Sequence, residues 1–406
     1  MDLHSGLPYW IVKNALYDHY QPLRKNIRTR VAIIGSGITG SLVVHELCKR
    51  GIECVVVDKR SLGFGSTAAS TAQLQYEIDV PLSKLISLVG EKNAETAYRN
   101  CLQSIDDLQQ VLQETNTSES FQRVPTYLLA SDKTGHRMLE REYTVRQKAG
   151  LPVDFLSANR IAEDLGTFHS AALYNDSSAQ MDCYAASIGI LDYYGRHGKT
   201  ALYSNTLITK YQKSAKGYRL STADECTIEC DYVVIAAGFE AGEFLPKRVM
   251  DLLSTYVILS EPIEEKYLWN KRALLWETKA PYLYMRTTAD NRIIVGGEDV
   301  PFSSPDKRDD LLREKSKRLE RKFRKWFPDI PFVTEMSWCG TFSSTSDGLP
   351  FIGAWPRNPR MLFTLGYGGN GVTFSMIGAQ VIAQVIEGKK DARLKLYGFD
   401  RPHISG

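Results

Sequence analysis

The chain has 406 residues, enough for two or three domains, and its 43% hydrophobic and 24% charged content is typical of a globular protein. A formal charge of +3 is too balanced to indicate a nucleic-acid partner. The apolar runs are strand-length, so no transmembrane segment is expected, and the first residues lack the pattern of a secretory signal. The seven cysteines are scattered, and Cys226 and Cys230 have no second pair or nearby histidines. We therefore expect reduced thiols, no metal site and a cytoplasmic location.

A glycine motif near the start predicts a dinucleotide site. Residues 30–58 read RVAIIGSGITGSLVVHELCKRGIECVVVD, in which a buried strand leads into the GxGxxG motif that begins at Gly35. Its glycines allow a tight turn, a close approach to a pyrophosphate and the packing of a helix on the strand. The helix N-terminus favours phosphate, and Asp58 is placed to accept hydrogen bonds from a ribose diol. The motif alone does not separate FAD from NAD.

Three later segments favour FAD. The first, LGFGSTAASTAQLQ at 62–75, is a loop of small and hydroxyl residues that can follow an extended pyrophosphate to the edge of a ring. The second, DYVVIAAG at 231–238, predicts a buried strand that ends in a turn of small residues. The third, TLGYGGNGVT at 364–373, predicts a glycine loop and a helix start. Its backbone N–H groups suit the N1–C2=O edge of a flavin, which gains negative charge on reduction.

Five motifs occur in a fixed order: GSGITG with Asp58, GFGSTAASTAQLQYEID, VVIAAG, TSDGLPFIG and GYGGNGVT. In this order they resemble the D-amino-acid oxidase/glycine oxidase (DAO) superfamily of FAD enzymes. The YWIVKN leader is similar in particular to that of the γ-glutamylputrescine oxidoreductase-like branch. The resemblance runs from Pro8 to about Lys389.

The resemblance implies an α/β fold. It comprises a Rossmann-like FAD-binding domain of the glutathione-reductase/DAO type and an α+β substrate domain, discontinuous in sequence, built on an antiparallel sheet. It also implies an enzyme that oxidises a C–N bond of an amine or amino acid. Hydride passes to flavin N5, and the resulting imine hydrolyses. No dedicated base is needed if the amine arrives deprotonated.

Family topology divides the chain into separated pieces: a leader at 1–27, an FAD-binding domain at 28–88, 150–238 and 340–390, a substrate domain at 89–149 and 239–339, and a tail at 391–406. Helical spacing in 94–113 predicts a helix in the first insert. The second insert predicts strands at 255–259, 281–285 and 292–295. Residues 304–327 predict one charged helix, which is either solvated with one packed face or membrane-binding.

The resemblance places the cofactor contacts in the turns, loops and helix starts of these motifs: Gly35, Ser36, Gly37, Ile38, Thr39, Gly40, Asp58, Lys59, Arg60, Gly65, Ser66, Thr67, Ala68, Thr71, Ala72, Gln73, Leu74, Ile208, Ala236, Ala237, Gly238, Asp347, Pro350, Gly366, Gly368, Gly369, Asn370, Gly371, Val372 and Thr373. Within GTFSSTSDGLPFIG, at 340–353, Asp347 and Pro350 are expected to set a turn that holds the last strand beside the flavin.

Substrate contacts are expected on the free face of the flavin. The candidate catalytic residues are Gln73, Tyr76, Tyr284, Arg286 and Asn370. Gln75 and Tyr282 are further candidates, because 282, 284 and 286 alternate along one strand and share a face. The competing interpretation is structural, with the tyrosines in a core and Arg286 paired with Asp290 or Glu298.

Three departures from the family pattern bear on the chemistry. Relatives that oxidise amino acids often carry an arginine where this chain has Phe342, so either Arg286 replaces it or the substrate is not a simple α-amino acid. The position of covalent flavin attachment holds no cysteine, since Cys339 falls one residue early, and we expect non-covalent FAD. The RIIVGG strand lacks the oxygen-activating lysine, which leaves oxygen or another electron acceptor open.

Two other functions remain open from the sequence. One is an NAD(P)-linked dehydrogenase, because the glycine motif binds the same ADP end. The other is a non-catalytic flavin-binding protein that senses redox state.

Overall fold

Two large sheets form the framework of the protein in a computed structural model that describes residues 4–17, 19–214 and 216–401. The α-helices are α1 Tyr9–Asn14, α2 Ile38–Lys49, α3 Ser66–Ala69, α4 Leu82–Val89, α5 Glu91–Glu114, α6 Lys133–Lys148, α7 Ala158–Leu165, α8 Cys183–Arg196, α9 Pro305–Asp310, α10 Leu312–Trp326, α11 Gly371–Ile386 and α12 Leu394–Tyr397. The strands are β1 His4–Ser5, β2 Ile27–Ile34, β3 Cys54–Val57, β4 Gln73–Leu74, β5 Phe121–Arg123, β6 Thr126–Leu129, β7 Asp154–Ser157, β8 Ala171–Asn175, β9 Ala179–Met181, β10 Thr200–Tyr203, β11 Ile208–Lys213, β12 Tyr218–Thr222, β13 Thr227–Ile235, β14 Asp251–Ser260, β15 Leu274–Glu277, β16 Tyr284–Thr287, β17 Ile293–Pro301, β18 Thr334–Ser344, β19 Phe351–Trp355 and β20 Asn358–Leu365.

The first sheet has a parallel centre. Its order is β10-β3-β2-β13-β12-β11, and β20 pairs with both β13 and β19. Strands β10, β3, β2, β13 and β20 run parallel to their partners in this set. The apolar run that follows Arg30 is fully buried at Val31, Ala32 and Ile33, as expected of a parallel strand covered on both faces.

The second sheet has nine strands in the order β1-β18-β14-β17-β16-β15-β6-β8-β7. Its pairs are antiparallel except β15 with β6. Two of the predicted strands lie in β14 and β17, whereas the third begins only at Tyr284. A short third sheet has the strand order β4-β9-β5, and its strand β4 begins at Gln73.

The sheets do not follow the predicted domain boundary at residue 150. Strands β7 and β8 fall in the piece 150–238 that the resemblance gave to the FAD-binding domain. They nevertheless extend the nine-stranded sheet, because β8 pairs antiparallel with β6. The domain ranges as a whole stay a prediction.

The charged segment 304–327 forms two helices, α9 and α10, instead of one. The Ser304 side chain caps α9 by accepting from the Lys307 N–H. Leu319 and Phe323 on α10 are fully buried in the core of the nine-stranded sheet. This buried face favours the interpretation of the segment as solvated with one packed face. Among the described helices, none combines the length and apolarity that a bilayer span requires.

Both ends of the chain reach the segment 340–353, which crosses from β18 in one sheet to β19 in the other. At its turn, the Asp347 carboxylate accepts from Arg401 at 2.9 Å and from the Leu349 N–H at 3.1 Å. In the leader, β1 pairs with β18. These contacts fix the edge of the nine-stranded sheet against the parallel sheet.

Candidate functional site

A cavity of about 340 Å³ lies where the parallel strands of the first sheet end and meet one face of the second. Loops after β2, β3 and β13 line one end, and residues of β14 to β18 line the other. The following predicted cofactor contacts line it: Gly35, Gly37, Ile38, Thr39, Asp58, Lys59, Arg60, Gly65, Ser66, Thr67, Thr71, Ala72, Gln73, Ile208, Ala236, Ala237, Gly238, Gly368, Gly369, Asn370, Gly371 and Val372. The ends of parallel strands are where doubly wound sheets bind their ligands.

The glycine motif shapes the first end of the cavity. Gly35 has a φ of +109°, and a Cβ there would lie 2.4 Å from the Ala236 carbonyl oxygen. A Cβ on Gly40 would lie 2.0 Å from the Gly35 oxygen, so only glycine lets α2 pack this closely. Helix α2 begins after Gly37 without a side-chain cap. The Ile38 N–H donates to the Thr67 hydroxyl at 3.0 Å, and the next N–H groups of the first turn provide a site for an anion at the cavity wall.

Asp58 stands at the end of β3 within the same wall. Its carboxylate accepts from the Ser36 N–H at 2.8 Å, the Ser36 hydroxyl at 2.6 Å and the Arg60 N–H at 2.9 Å. Burial raises the pKa of Asp58, which these donors oppose. A carboxylate offers about four acceptor positions, so one remains for a ribose hydroxyl. Ser36 does not line the cavity and instead orients Asp58.

The middle of the cavity offers donors for a polar, planar ring. The Gln73 amide has a buried Nε2 and Oε1 with no hydrogen-bond partner among the described residues. Helix α11 begins at Gly371, where a Cβ would meet nothing within 4 Å, and its N-cap Asn370 makes no side-chain cap. An unpartnered amide and an open helix N-terminus fit the heteroatom edge of a flavin.

Asn370 lines the cavity but its amide is committed to the protein. Nδ2 donates to the Glu77 carbonyl at 2.8 Å and to the Gln75 carbonyl at 3.3 Å. Beside it, the Gly369 N–H donates to Asp79 Oδ2 at 2.6 Å. Together these bonds tie the C-terminal glycine loop to the segment 75–79.

Aromatic side chains from the nine-stranded sheet form the far end of the cavity. Tyr282, Tyr284, Trp276 and Phe342 all line it, and the two tyrosine rings lie 5.9 Å apart. Tyr284 pairs with Gly296 on β17, where a Cβ would lie 2.2 Å from the tyrosine ring. Burial raises the pKa of both tyrosines, so their hydroxyls stay protonated.

Two carboxylates face the same end. Asp79 accepts from the Tyr282 hydroxyl at 3.0 Å, and its side chain is accessible from the cavity. Protein nevertheless surrounds it closely enough that burial raises its pKa. Asp299 on β17 also lines the cavity. Burial, with a contribution from the charge of Asp79, raises the pKa of Asp299 to about 6.

Arg286 is not in the cavity lining, although its strand neighbour Tyr284 is. Its Nη1 donates to the carbonyls of Thr71 at 2.7 Å, Ala72 at 3.1 Å and Met181 at 2.9 Å. The competing interpretation of a structural role fits these contacts, but its partners differ, since Asp290 and Glu298 bind the side chains of Tyr9 and Lys315. These contacts place Arg286 to hold the loop at 71–72. Sequence alternation predicts the face of the strand on which a residue lies, but it does not predict which segment covers that face.

Tyr76 also lies outside the cavity. It is fully buried in a separate core, and its hydroxyl donates to the Pro152 carbonyl at 2.6 Å. The remaining predicted cofactor contacts do not line the cavity and instead contact other parts of the protein. Ala68 and Leu74 lie in the hydrophobic core, Gly40 packs on Gly35, Asp347 and Pro350 bind Arg401, and Gly366 and Thr373 lie beside the glycine loop.

Sequence reasoning missed several residues of the far end. Glu77 and Asp79 continue the alternation of Gln73 and Gln75, so the period-two pattern of QLQYEID could have found them. The same pattern puts Tyr76 on the opposite side. Asp299 and Trp276 carry no such signal, because their positions depend on the register of distant strands.

The chain matches known proteins over most of its length. A family model described as DAO, FAD dependent oxidoreductase, matches residues 30–385. Gamma-glutamylputrescine oxidoreductase of Escherichia coli (strain K12) is 23% identical over 389 residues, covering 94% of this chain and 88% of the relative.

Solved structures show the same fold. The crystal structure of glycine oxidase from Geobacillus kaustophilus superposes with a TM-score of 0.76 at 21% identity, covering 92% of this chain and 99% of that chain. L-proline dehydrogenase from P. horikoshii gives a TM-score of 0.77 at 19% identity, with coverages of 93% and 97%.

These findings confirm the family resemblance, the fold class and the FAD cofactor expected from the sequence. The family match does not support an NAD(P)-linked dehydrogenase or a flavin protein without catalysis. The residues that line the cavity fit the cofactor, with Asp58 and the start of α2 at its dinucleotide end and the start of α11 at its ring end. The chain therefore belongs to the DAO family of FAD-dependent oxidoreductases.

Proposed function

We propose that this enzyme oxidises the C–N bond of an amine and that its substrate occupies the far end of the cavity. The observation that carries this proposal is the composition of that end. It is lined by four aromatic side chains and three carboxylates, namely Tyr282, Tyr284, Trp276, Phe342, Glu77, Asp79 and Asp299. Among the described lining residues, the only lysine and arginine are Lys59 and Arg60, and both hydrogen-bond to Glu240 at the dinucleotide end.

The absence of a cation at the far end of the described cavity argues against a substrate held by its carboxylate. Phe342 occupies the position at which relatives often carry an arginine, and it lines the cavity. Arg286 is committed to backbone carbonyls, so it does not replace that arginine. An amine without a carboxylate next to the reacting carbon suits this lining better than an α-amino acid.

The side chains of the far end hold the substrate. The aromatic rings pack against its carbon atoms, and the Tyr284 hydroxyl can donate because it stays protonated, whereas the Tyr282 hydroxyl donates to Asp79. When bound, FAD supplies the two-electron acceptor for a hydride from the carbon that bears nitrogen. The nitrogen loses its proton to water, and the imine so formed takes up water to release a carbonyl compound and ammonia or a shorter amine.

We further propose that FAD is bound non-covalently. Cys339 is fully buried, outside the cavity lining, with its thiol 3.6 Å from Asp309 Oδ1. Cys183 does line the cavity, but burial raises its pKa and keeps it a thiol. Acid precipitation of the holoenzyme should release all flavin into the supernatant, and flavin retained in the washed pellet would contradict non-covalent binding.

We also propose an electron acceptor, either oxygen or another carrier, and a cytoplasmic location. Either oxygen, leaving as hydrogen peroxide, or another electron carrier restores oxidised FAD. All seven cysteines are free thiols in the structure, which suits the reducing cytoplasm.

Anaerobic mixing of the holoenzyme with a panel of amines tests the reaction. We expect primary or secondary amines to bleach the flavin, and the carbonyl product to appear in equal amount. Tyr284→Phe should weaken substrate affinity, whereas Tyr267→Phe, at a tyrosine 37% exposed to solvent, should not. If dithionite bleaches the flavin and no amine in the panel does, the proposed function is wrong.

A further inference from the structure

The far end of the cavity carries more negative charge than the protein balances. Glu77, Asp79 and Asp299 line it, and no lysine or arginine of the described lining lies at that end. Asp79 accepts hydrogen bonds from two neutral donors, the Gly369 N–H and the Tyr282 hydroxyl. A cavity end that collects carboxylates without a cation of its own favours a ligand that brings a positive charge.

A bulge in β17 directs Asp299 into the cavity. Across β14, Tyr256 pairs with Gly297 and Ser254 with Val300, so Glu298 and Asp299 lie opposite Thr255 alone. Glu298 has a φ of +59°, in the left-handed region, and its carboxylate binds Lys315 and Lys322 on α10. Asp299 turns the other way, as bulges beside active sites often require. Its Oδ1 is buried without a hydrogen-bond partner among the described residues.

Glu77 provides a second, independent indication of a missing cation. It is only 4% exposed, and its Oε1 accepts from Arg146 at 3.1 Å and Asn175 at 2.6 Å. Its Oε2 is buried and has no hydrogen-bond partner in the described part of the chain. Arg146 also binds Glu142 at 2.9 Å, so one arginine serves two carboxylates and the group keeps a net negative charge.

The cations nearest to Asp299 do not neutralise it. Lys315 acts on Asp299 electrostatically, but its ammonium group donates to Glu298 at 3.2 Å. The other charges that act on Asp299, those of Asp79 and Glu298, are themselves negative. Tyr282 lies close enough to Asp79 to donate to it, and its ring faces Tyr284 and Trp276.

We propose that the substrate is an amine with a second, non-reacting ammonium group, which the carboxylates of Asp79 and Asp299 hold. The substrate class is then an α,ω-diamine or a polyamine, and the inference rests on the proposed amine oxidation. An ammonium group has three donors, which suit the carboxylates of Asp299 and Asp79 because both side chains line the cavity. The rings of Tyr282 and Tyr284 pack along the connecting carbon chain and add cation–π attraction.

The test compares three probes of equal chain length on the holoenzyme under anaerobic conditions. They are an α,ω-diamine, the n-alkylamine that lacks the second ammonium, and the ω-amino acid that carries a carboxylate instead. We expect the diamine to bind at least about tenfold more tightly than the alkylamine, and the amino acid to bind weakest. Affinity is read both from the saturation of the bleaching rate and from calorimetric titration of the reduced enzyme.

Substitutions assign the preference to the proposed residues. Asp299→Asn should reduce the preference for the diamine about tenfold while changing the alkylamine constant little. Asp79→Asn, which keeps one acceptor for the Gly369 N–H, should act in the same direction. Asp310→Asn is the charge control, since Asp310 is exposed on α9 and lies outside the cavity lining.

The outcomes separate the two proposals. If no amine bleaches the flavin, the proposed function fails and the substrate class with it. If alkylamines and diamines bleach it with equal affinity, or the ω-amino acid binds best, amine oxidation stands and the diammonium inference is overturned. The inference is also overturned if Asp299→Asn and Asp79→Asn, both folded and flavin-loaded, keep the full preference for the diamine.

Discussion

Replacing Arg286 with methionine separates its structural role from a role in substrate binding. The side chain is 3% exposed, and Nη1 donates to three backbone carbonyls, two of which belong to the loop at 71–72. Its guanidinium also lies 5.4 Å from the centre of the Trp10 ring. Methionine keeps much of the length and apolar volume but removes every donor.

The magnitude follows from two opposing effects. The two N–H groups of Nη1 are shared among three carbonyls, and Nε donates to the Thr287 carbonyl at 3.3 Å. Hydrogen bonds from a charged donor contribute about 2 kcal/mol each, or about 6 kcal/mol for these three N–H groups. Burial lowers the pKa of Arg286 to about 10. Against the usual value of 12.5, that shift corresponds to about 3 kcal/mol against the charged form. Arg286→Met should therefore reduce the free energy of unfolding by about 3 kcal/mol, which lowers Tm by about 5 °C in a chain of this size.

The assay measures thermal unfolding and FAD affinity together with substrate affinity. We expect a lower Tm, weaker FAD binding and, at saturating FAD, a nearly unchanged KM, because the loop at 71–72 lines the cofactor cavity. Arg313→Met on the exposed face of α10 is the control. A variant with wild-type Tm and FAD affinity that lost affinity only for substrates with a carboxylate would refute this reasoning.

Three further predictions follow from the geometry. Gly40→Ala would put a methyl carbon 2.0 Å from the Gly35 oxygen, so we expect destabilised protein with little flavin, measured by the ratio of flavin to protein absorbance. The preference for a diamine over an alkylamine should rise as the pH increases through about 6, because Asp299 then loses its proton; Asp299→Asn should abolish that rise. Gly296→Ala would place a carbon 2.2 Å from the Tyr284 ring, and it should raise KM about tenfold without loss of flavin; an unchanged KM would contradict the role of that ring.

The cofactor half of the cavity could be predicted from the sequence because its requirements are local. Gly35 and Gly40 are needed by a turn and a close packing that involve neighbouring residues. Asp58 follows its strand directly. Such features repeat as short motifs, and the order of the motifs then predicts the fold.

The substrate half could be predicted only in part because its residues meet through strand register. Asp299 enters the cavity only because of a bulge in β17, which no local pattern announces. Arg286 shares its strand with Tyr284, but the loop at 71–72 covers it, and sequence alternation contains no information on that loop. The prediction that Tyr76 contacts the substrate conflicted with the alternation of Gln73 and Gln75, which puts residue 76 on the opposite side.

The hydrogen bonds that join the glycine loop to the segment 75–79 give the enzyme a particular order of maturation. The walls of the crevice come from stretches 290 or more residues apart in sequence, joined by the hydrogen bonds of Gly369 to Asp79 and of Asn370 to Glu77. Such contacts form late, since the chain between them must be ordered first. During synthesis, the phosphate-binding turn therefore leaves the ribosome long before the glycine loop that completes the flavin's surroundings. We expect chains that stop before the glycine loop to remain colourless when mixed with FAD, because that loop lines the cavity.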